Sequence, residues 1–424
     1  MSTKTKQWGA IIVMIALFAM IAFVTNLCSP MAIIVKNDFG ASNVLAQIGN
    51  YGNFIAYLLM GVPAGMLISK FGYKKTALIG LGIGIAGILI QWLSGHVGKE
   101  ESAFLVYLIG AFVSGFTMCI LNCVVNPMLN LLGGGGNKGN QLIQIGGVFN
   151  SSAAVAVYII MGALIGDATK AHIADATPAL MIALAIFVIG FITLLFTKIE
   201  EPEQAPVDIS LVKGAMKYRH FVLGVVAIFL YMGVEVGTPT YILQYLTSPE
   251  MGMDASIVGL IVAVYWLMML VGRFVGGAIG SKVSSRAMIT TVSIATLVLV
   301  AFGMFAPTNV TVNVPGIDWA NLNLIWAEVP VGIFAFLLVG LCTSVMWGGI
   351  FNMAVEGLGK YTAIASGIFM TMVFGCAVMV AIQGYVADLT NYMTSYWVVL
   401  FCAAYILFYA LIGSKNVNKD NSVE

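Results

Sequence analysis

The sequence predicts an all-α integral membrane protein with twelve transmembrane helices in two pseudo-symmetric six-helix bundles. Composition is the first observation behind this prediction, because 60% of the 424 residues are hydrophobic and only 9% are charged. Soluble domains carry about 25% charged residues. The second observation is the length of the apolar runs, since a helix needs about 20 residues to cross the hydrocarbon core. Runs of about ten residues with alternating polarity, the pattern of membrane barrels, do not occur in the sequence.

Twelve apolar runs of helical length follow one another, and we number them as spans 1 to 12. They cover residues 9–35, 44–69, 76–95, 103–131, 142–166, 177–197, 219–247, 255–280, 287–306, 328–351, 362–386 and 393–413. The connection between spans 6 and 7 is the most charged and least apolar of all. It divides the chain into an N-terminal bundle (1–197), a cytoplasmic linker (198–218) and a C-terminal bundle (219–424).

The lysines and arginines indicate the orientation in the membrane. With the N-terminus in the cytoplasm, fifteen of them fall in cytoplasmic segments and three on the opposite side, Lys36, Lys99 and Lys170. This is a strong positive-inside asymmetry, so both termini should lie in the cytoplasm. Span 1 is too long for a cleaved signal peptide, and further spans follow it. The net charge of +1 gives no indication of a nucleic-acid partner.

The two halves resemble each other at corresponding spans. Four positions after span 2 recur after span 8 at a constant offset of 212 residues: Gly65, Ser69, Lys70 and Lys74 match Gly277, Ser281, Lys282 and Arg286. A second match, at an offset of 226, pairs Asn126, Leu132 and Gly133 of span 4 with Asn352, Leu358 and Gly359 of span 10. Such duplication is the architecture of transporters in which two halves rock about a site near the membrane midplane.

The loop from Gly65 to Lys75 resembles the cytoplasmic signature of the major facilitator superfamily, although Ser69 replaces its usual acid. Shorter motifs resemble the fucose and glucose/galactose permease branch: Val62-Pro63-Ala64-Gly65, Asn126-Pro127, Phe149-Asn150-Ser151, Gly233-Val234-Glu235, Gly272-Arg273 and Ile350-Phe351-Asn352. The resemblance covers nearly the whole chain and implies the major facilitator fold, a bacterial inner membrane and a sugar-type pocket. It also implies gating by the signature loop, with Lys70 and Lys74, and we add Arg273 of span 8 as a gating candidate.

One departure from this branch concerns the coupling mechanism. In the fucose permease, an acid in span 1 and another in span 4 take part in proton coupling and sugar binding. Ser29 and Asn122 occupy those positions here. Neither side chain exchanges a proton at ordinary pH. The resemblance therefore does not carry that coupling mechanism over to this chain.

Glu235 in span 7 is the clearest polar interruption of any span and our candidate coupling group. An acid at the bilayer centre costs about 2.5–3.5 kcal/mol on insertion scales, which makes it a functional candidate. A carboxyl group is protonated in a dry cavity and ionises when open to water, so Glu235 could carry a proton. Ionised, it could hold a sodium ion with oxygens of Thr238 or Thr240. A hydrogen-bonded structural glutamic acid is the third interpretation.

Sugar hydroxyl groups need directional amide and carboxylate partners together with aromatic faces. The substrate-binding candidates are the polar and aromatic residues inside the spans: Asn26, Asn122, Asn126, Asn150, Glu235, Thr238, Trp347 and Asn352. Tyr265 and Trp266 are further candidate platforms. Hydrogen bonding between helices is the alternative interpretation for each amide. For Arg273 we expect bonds to carbonyl groups or an ion pair with an acid of a neighbouring helix, for which Glu356 is a candidate.

The sequence thus predicts a monomeric secondary transporter that takes up a monosaccharide or close derivative, coupled to protons or sodium through Glu235. An uncoupled facilitator or an exporter is the alternative within this class. A non-transporting sugar sensor belongs to a different class, and the short tails and linker argue against it. We expect neither enzymatic activity nor a cofactor beyond the coupling ion. No metal-ligand spacing occurs among the six cysteines, and no nucleotide or catalytic motif stands out.

Overall fold

The computed structural model describes residues 7–38, 42, 48–97, 100–133, 136–165, 172–201, 211–279, 283–318, 323–358 and 361–416. Within these ranges, ten helices are long and apolar enough to cross a membrane. Two shorter apolar stretches, Gly52–Ile68 and Ile145–Ile159, lie in spans 2 and 5. Together they account for the twelve predicted spans, and the predicted all-α membrane fold is confirmed.

The first six spans are helical, and a kink of a single residue separates spans 2 and 3 within the range Ile48–Ser94. These helices are Trp8–Asp38, Ile48–Ser94, Glu100–Leu132, Gly136–Ile165 and Thr177–Phe196. The break between spans 2 and 3 is at Gly72, whose φ of 80° and ψ of 174° are not helical. A positive φ is accessible to glycine at little cost. The chain therefore reverses its path across the membrane at a residue without a side chain.

The second half contains three unbroken spans followed by three interrupted ones. Spans 7 to 9 are Arg219–Leu246, Ala255–Ile279 and Ser285–Phe305; span 10 is Val331–Thr343 and Met346–Val355; span 11 is Thr362–Thr371 and Gly375–Leu389, joined by a 3-10 turn; span 12 is Tyr392–Ser395 and Trp397–Phe408, followed by a π turn. The linker contributes a short helix, Leu211–Ala215. Interrupted helices near the midplane are typical of transporter binding sites.

An antiparallel hairpin between spans 9 and 10 was not predicted. Strand β1, Thr311–Asp318, pairs with β2, Asn323–Pro330, over the full length of both strands. Its inner face packs on span 8, where a Cβ built at Gly316 would lie 2.8 Å from the Ile257 side chain. The side chain of Trp326 is 66% exposed on the opposite face.

The two halves meet along two pairs of spans, span 2 with span 11 and span 5 with span 8. The first contact is close, since a Cβ built at Gly61 would lie 2.5 Å from Thr371 Oγ1. At the predicted periplasmic end, Lys36 Nζ donates a hydrogen bond of 2.8 Å to the hydroxyl group of Tyr392. This bond links span 1 to span 12. The halves are therefore joined at the predicted periplasmic end as well as at mid-depth.

Candidate functional site

Glu235 lies near the middle of span 7, between two glycines that bring span 11 close. A Cβ built at Gly233 would lie 2.7 Å from Met379 Cβ, and one at Gly237 would lie 2.5 Å from Gln383 Oε1. A side chain at position 233 would force the two spans apart, and one at position 237 would displace the Gln383 side chain. Glu235 itself retains some accessible surface. The Gly-x-Glu-x-Gly sequence therefore packs one face of span 7 on span 11 and leaves the carboxyl group on another.

A small hydrogen-bonded cluster surrounds Glu235 and involves spans 7, 8 and 10. The carboxyl group lies close to the hydroxyl group of Tyr231, one turn earlier on span 7. Tyr231 also donates to the Thr343 carbonyl oxygen at 3.3 Å. The hydroxyl group of Tyr265 donates to the Glu235 carbonyl oxygen at 2.9 Å and lies 3.2 Å from Thr343 Oγ1.

The interruption of span 10 explains the presence of Thr343 in this cluster. Its first helix ends at Thr343, and the second begins at Met346. The last carbonyl groups of a helix have no intrahelical partner. The Tyr231 hydroxyl group satisfies one of them, so a side chain of span 7 takes the place of the missing helical bond. The break and the carboxyl group are thus parts of the same arrangement.

Aromatic rings enclose the cluster on several sides. Tyr231 packs against Trp347, with ring centroids 6.2 Å apart. Tyr265 meets Trp266 edge to face at 5.4 Å. Trp266 in turn stacks with Tyr158 of span 5, at 6.4 Å and an interplanar angle of 17°. Because Tyr158 belongs to the first half, this last pair spans the boundary between the halves. Tyr265 therefore contacts Glu235 directly, whereas Trp266 packs on Tyr265 and Trp347 packs on Tyr231.

Arg273 also spans the boundary, and of its two expected kinds of partner the structure shows a carbonyl group. Its guanidinium group donates from Nη1 to the Gly147 carbonyl oxygen and, at 2.8 Å, to Ser151 Oγ. Both acceptors lie on span 5. Arg273 also lies close enough to Glu235 for their charges to interact.

Two of the predicted amides hold neighbouring elements together. Asn150 Nδ2 donates to the Phe18 carbonyl oxygen at 2.8 Å, which ties span 5 to span 1. Asn122 Nδ2 donates to the Tyr57 hydroxyl group at 2.7 Å, which ties span 4 to span 2. These are the interhelical bonds of the alternative interpretation. Each amide also keeps part of its surface accessible.

The remaining binding candidates lie in different surroundings. Asn26 and Asn126 donate to carbonyl oxygens one turn earlier in their own helices, at 2.8 and 3.3 Å. Thr238 is fully buried, and its Oγ1 has no hydrogen-bond partner in the part of the chain that the structure describes. Asn352 lines a pocket at the predicted cytoplasmic end together with Arg286. Asn352 is thus placed apart from the cluster around Glu235.

A family model described as the Major Facilitator Superfamily matches residues 13–382. The chain belongs to the major facilitator superfamily. The match covers most of the chain and confirms the resemblance noted in the sequence.

Curated relatives of this facilitator protein are named as sugar transporters. A glucose/galactose transporter of Brucella abortus is 28% identical, over 98% of this chain and 97% of the relative. An L-fucose-proton symporter of Escherichia coli is 21% identical, over 94% of this chain and 92% of the relative.

Solved structures share the fold. The crystal structure of the major facilitator transporter FucP in the outward conformation has a TM-score of 0.70, 19% identity and coverage of 96% of this chain and 99% of its own. The structure of a D-xylose-proton symporter has a TM-score of 0.72, 12% identity and coverage of 99% and 100%.

The signature loop of this facilitator is bound by a glutamate that the sequence did not single out. The backbone N–H groups of Tyr73 and Lys74 donate to the Glu201 carboxylate at 2.6 and 2.9 Å. Lys74 Nζ donates to the carbonyl oxygens of Leu195 and Thr197 at 3.0 and 2.7 Å. An acid at the start of a helix is also favoured by the helix dipole. Lys74 therefore anchors the loop to the end of span 6.

Lys70, the other predicted gating lysine of this loop, lies 5.3 Å from the centroid of the Phe71 ring.

Sequence reasoning missed Tyr231, Thr343, Ser151 and Tyr158 as parts of the site. One signal was available for Tyr231, since it is four residues before Glu235 and shares its helical face. The others carried none, because tyrosine, threonine and serine are common in membrane helices. Their positions depend on helix rotations, which a single facilitator sequence does not specify.

Proposed function

We propose that this protein takes up a monosaccharide across the bacterial inner membrane by alternating access, coupled to the proton gradient through Glu235. The single observation that carries the proposal is the surroundings of Glu235. It is an acidic side chain at mid-membrane depth, close to Tyr231 and bonded through its backbone to Tyr265, and Trp347 packs on Tyr231. Intramembrane acids of this kind form proton relays in transporters. The relatives named as glucose/galactose and fucose transporters support a sugar as the cargo.

Arg273 favours a proton over sodium as the coupling ion. Its guanidinium charge lies close enough to interact with Glu235. A second cation placed beside the carboxylate would be repelled by that charge. The same charge also opposes protonation of the carboxyl group, but a proton needs no further oxygen ligands beside Arg273, whereas a sodium ion needs several. Uptake driven by a sodium gradient would contradict this assignment.

Arg273 also provides a route from the carboxyl group to the movement of the halves. Its guanidinium group holds span 5 through Gly147 and Ser151. When Glu235 ionises, attraction to the carboxylate competes with these bonds. Protonation removes that competition and strengthens the contact between spans 5 and 8. The charge of Glu235 thereby biases the arrangement of the two halves, which is what coupling requires.

The two halves supply complementary groups for a sugar. The first half carries the amides of Asn122 and Asn150, and the second carries the carboxyl group and most of the aromatic rings. Asn150 directly precedes Ser151, which bonds to Arg273. Amides and rings on opposite sides suit a ligand with hydroxyl groups at its edge and apolar C–H faces. We further propose that the protein works as a monomer with both termini in the cytoplasm.

The test is uptake of radiolabelled D-glucose, D-galactose and L-fucose into proteoliposomes with an imposed proton or sodium gradient. For the wild type we expect accumulation driven by the proton gradient. Glu235→Gln should abolish accumulation while sugar exchange down its own gradient continues, because glutamine has no proton to release. Glu328→Gln is the matched control, since Glu328 is exposed on the hairpin, away from Glu235.

Each result has a distinct meaning. Equal accumulation by the wild type and Glu235→Gln would refute the coupling role of this residue. Equilibration without accumulation in the wild type would identify an uncoupled facilitator. No movement of any of the three sugars would refute sugar uptake altogether.

A further inference from the structure

The indole N–H group of Trp266 is buried without an acceptor. The side chain is 8% exposed, and within the described residues Nε1 has no hydrogen-bond partner. Leaving a buried donor unsatisfied costs about 1–3 kcal/mol. Buried tryptophan N–H groups normally find a partner. An acceptor that binds only part of the time, such as a transported molecule, would explain why the protein supplies none.

The position of Trp266 favours the cargo as that acceptor. It follows Tyr265, which bonds to the Glu235 backbone, and it stacks with Tyr158 of the other half. It therefore lies at the boundary that opens and closes during alternating access, next to the proposed coupling group. Packing alone would not require tryptophan at such a position, because phenylalanine offers a ring without the N–H group.

We propose that the Trp266 Nε1–H group donates a hydrogen bond to one hydroxyl oxygen of the transported monosaccharide and thereby determines specificity at that hydroxyl. Tyr158 holds the indole ring in orientation from the opposite half. The assignment rests on the proposed sugar uptake and adds the residue that reads one position of the sugar. No bond is formed or broken covalently.

The experiment removes the donor from the protein and the acceptor from the sugar. Uptake of the radiolabelled parent sugar is competed with the unlabelled parent and with each of its monodeoxy analogues, for the wild type and for Trp266→Phe. A neutral hydrogen bond contributes about 0.5–1.5 kcal/mol, which corresponds to about a 2- to 10-fold change in affinity. We expect Trp266→Phe to bind the parent sugar more weakly than the wild type by this factor. It should bind one of the deoxy analogues with the same affinity as the wild type.

The unchanged analogue is the decisive result, because the wild-type bond does not exist for a sugar without that hydroxyl. Trp92→Phe is the matched control: Trp92 is a partly buried tryptophan of span 3 that packs on His96 at 4.6 Å. It should leave all competition curves unchanged. If Trp266→Phe does not fold, the benzothiophene analogue of tryptophan at position 266 removes the N–H group and retains the ring shape.

If Trp266→Phe lowers the affinity for every analogue by the same factor, or for none of them, the proposed role of Trp266 is overturned while sugar uptake stands. A wild type that takes up no sugar would overturn the proposed function and this inference with it. The two failures are thus distinguished by the wild-type curve alone.

Discussion

Gly340→Ala should destabilise the protein by driving span 10 away from span 8. A Cβ built at Gly340 would lie 2.2 Å from the Tyr265 carbonyl oxygen, whereas ordinary contacts begin at 3.4 Å. The obstacle is backbone and does not rotate away, so one span must shift by about 1 Å. Overpacking of this kind costs about 1–3 kcal/mol. The shift would also move Tyr265, whose hydroxyl group bonds to Glu235, so the uptake rate should fall.

Gly348→Ala in the same span is the matched control. Nothing lies within 4 Å of a Cβ built there, and alanine is favoured over glycine in a helix by up to about 1 kcal/mol. We would measure the free energy of unfolding by detergent titration, and uptake in proteoliposomes. Gly340→Ala should be less stable than the wild type, and Gly348→Ala equally or more stable. Equal stability of the two variants would refute the close packing of span 10 on span 8.

Two further substitutions test contacts outside the glycine interface. Ser151→Ala removes one hydrogen bond to the Arg273 guanidinium group, and such a bond to a charged group contributes about 1.5–3 kcal/mol. Because this bond holds span 5 on span 8, its loss should make the contact open more often. Cysteines introduced between the two spans should then react faster with labelling reagents. Glu201→Gln replaces the carboxylate that accepts from the N–H groups of Tyr73 and Lys74. Loss of such a helix cap costs about 0.5–2 kcal/mol, measured as a lower melting temperature in detergent.

Matched variants exist for both substitutions. Ser152→Ala is the control for Ser151, because the Ser152 hydroxyl group bonds within its own helix, to Val148. Unchanged labelling in Ser151→Ala would contradict the bridge between the halves. Glu200→Gln is the control for Glu201, since the exposed Glu200 contacts Gln7 instead of the signature loop. If both glutamine variants melt alike, Glu201 does not hold the signature loop.

The fold could be predicted because membrane helices are marked by composition and length. Each run of about 20 apolar residues specifies a span without regard to its neighbours. The same reasoning overlooked the hairpin, although Val310-Thr311-Val312-Asn313-Val314 alternates in polarity as a strand does. The segment lies between two spans, where we expected a loop.

The candidate site could be predicted only in part. The sequence shows which residues are unusual within an apolar run, but it does not show which residues are in contact. Glu235 was found from the energetic cost of an acid in an apolar run, and Trp266 and Trp347 as aromatic residues within spans. Arg273 was also found, with a carbonyl group among its expected partners, but the helix that supplies its acceptors was not predicted. Its acceptor Ser151 is 122 residues away in the sequence, and the pairing depends on the rotation of spans 5 and 8. A sequence pattern records neither rotation.

The hairpin offers a binding site for an antibody fragment in electron microscopy of this 45.0 kDa protein. The remainder of the protein is largely covered by the detergent micelle. Its outer face presents the exposed side chains of Leu324 and Trp326, both on strand β2. Together they form an epitope of defined shape for an antibody fragment. The hairpin packs on span 8 of the second half, through Gly316 and Ile257. A fragment bound there would grip one half alone. It could therefore align particles in electron micrographs while leaving the protein free to change conformation.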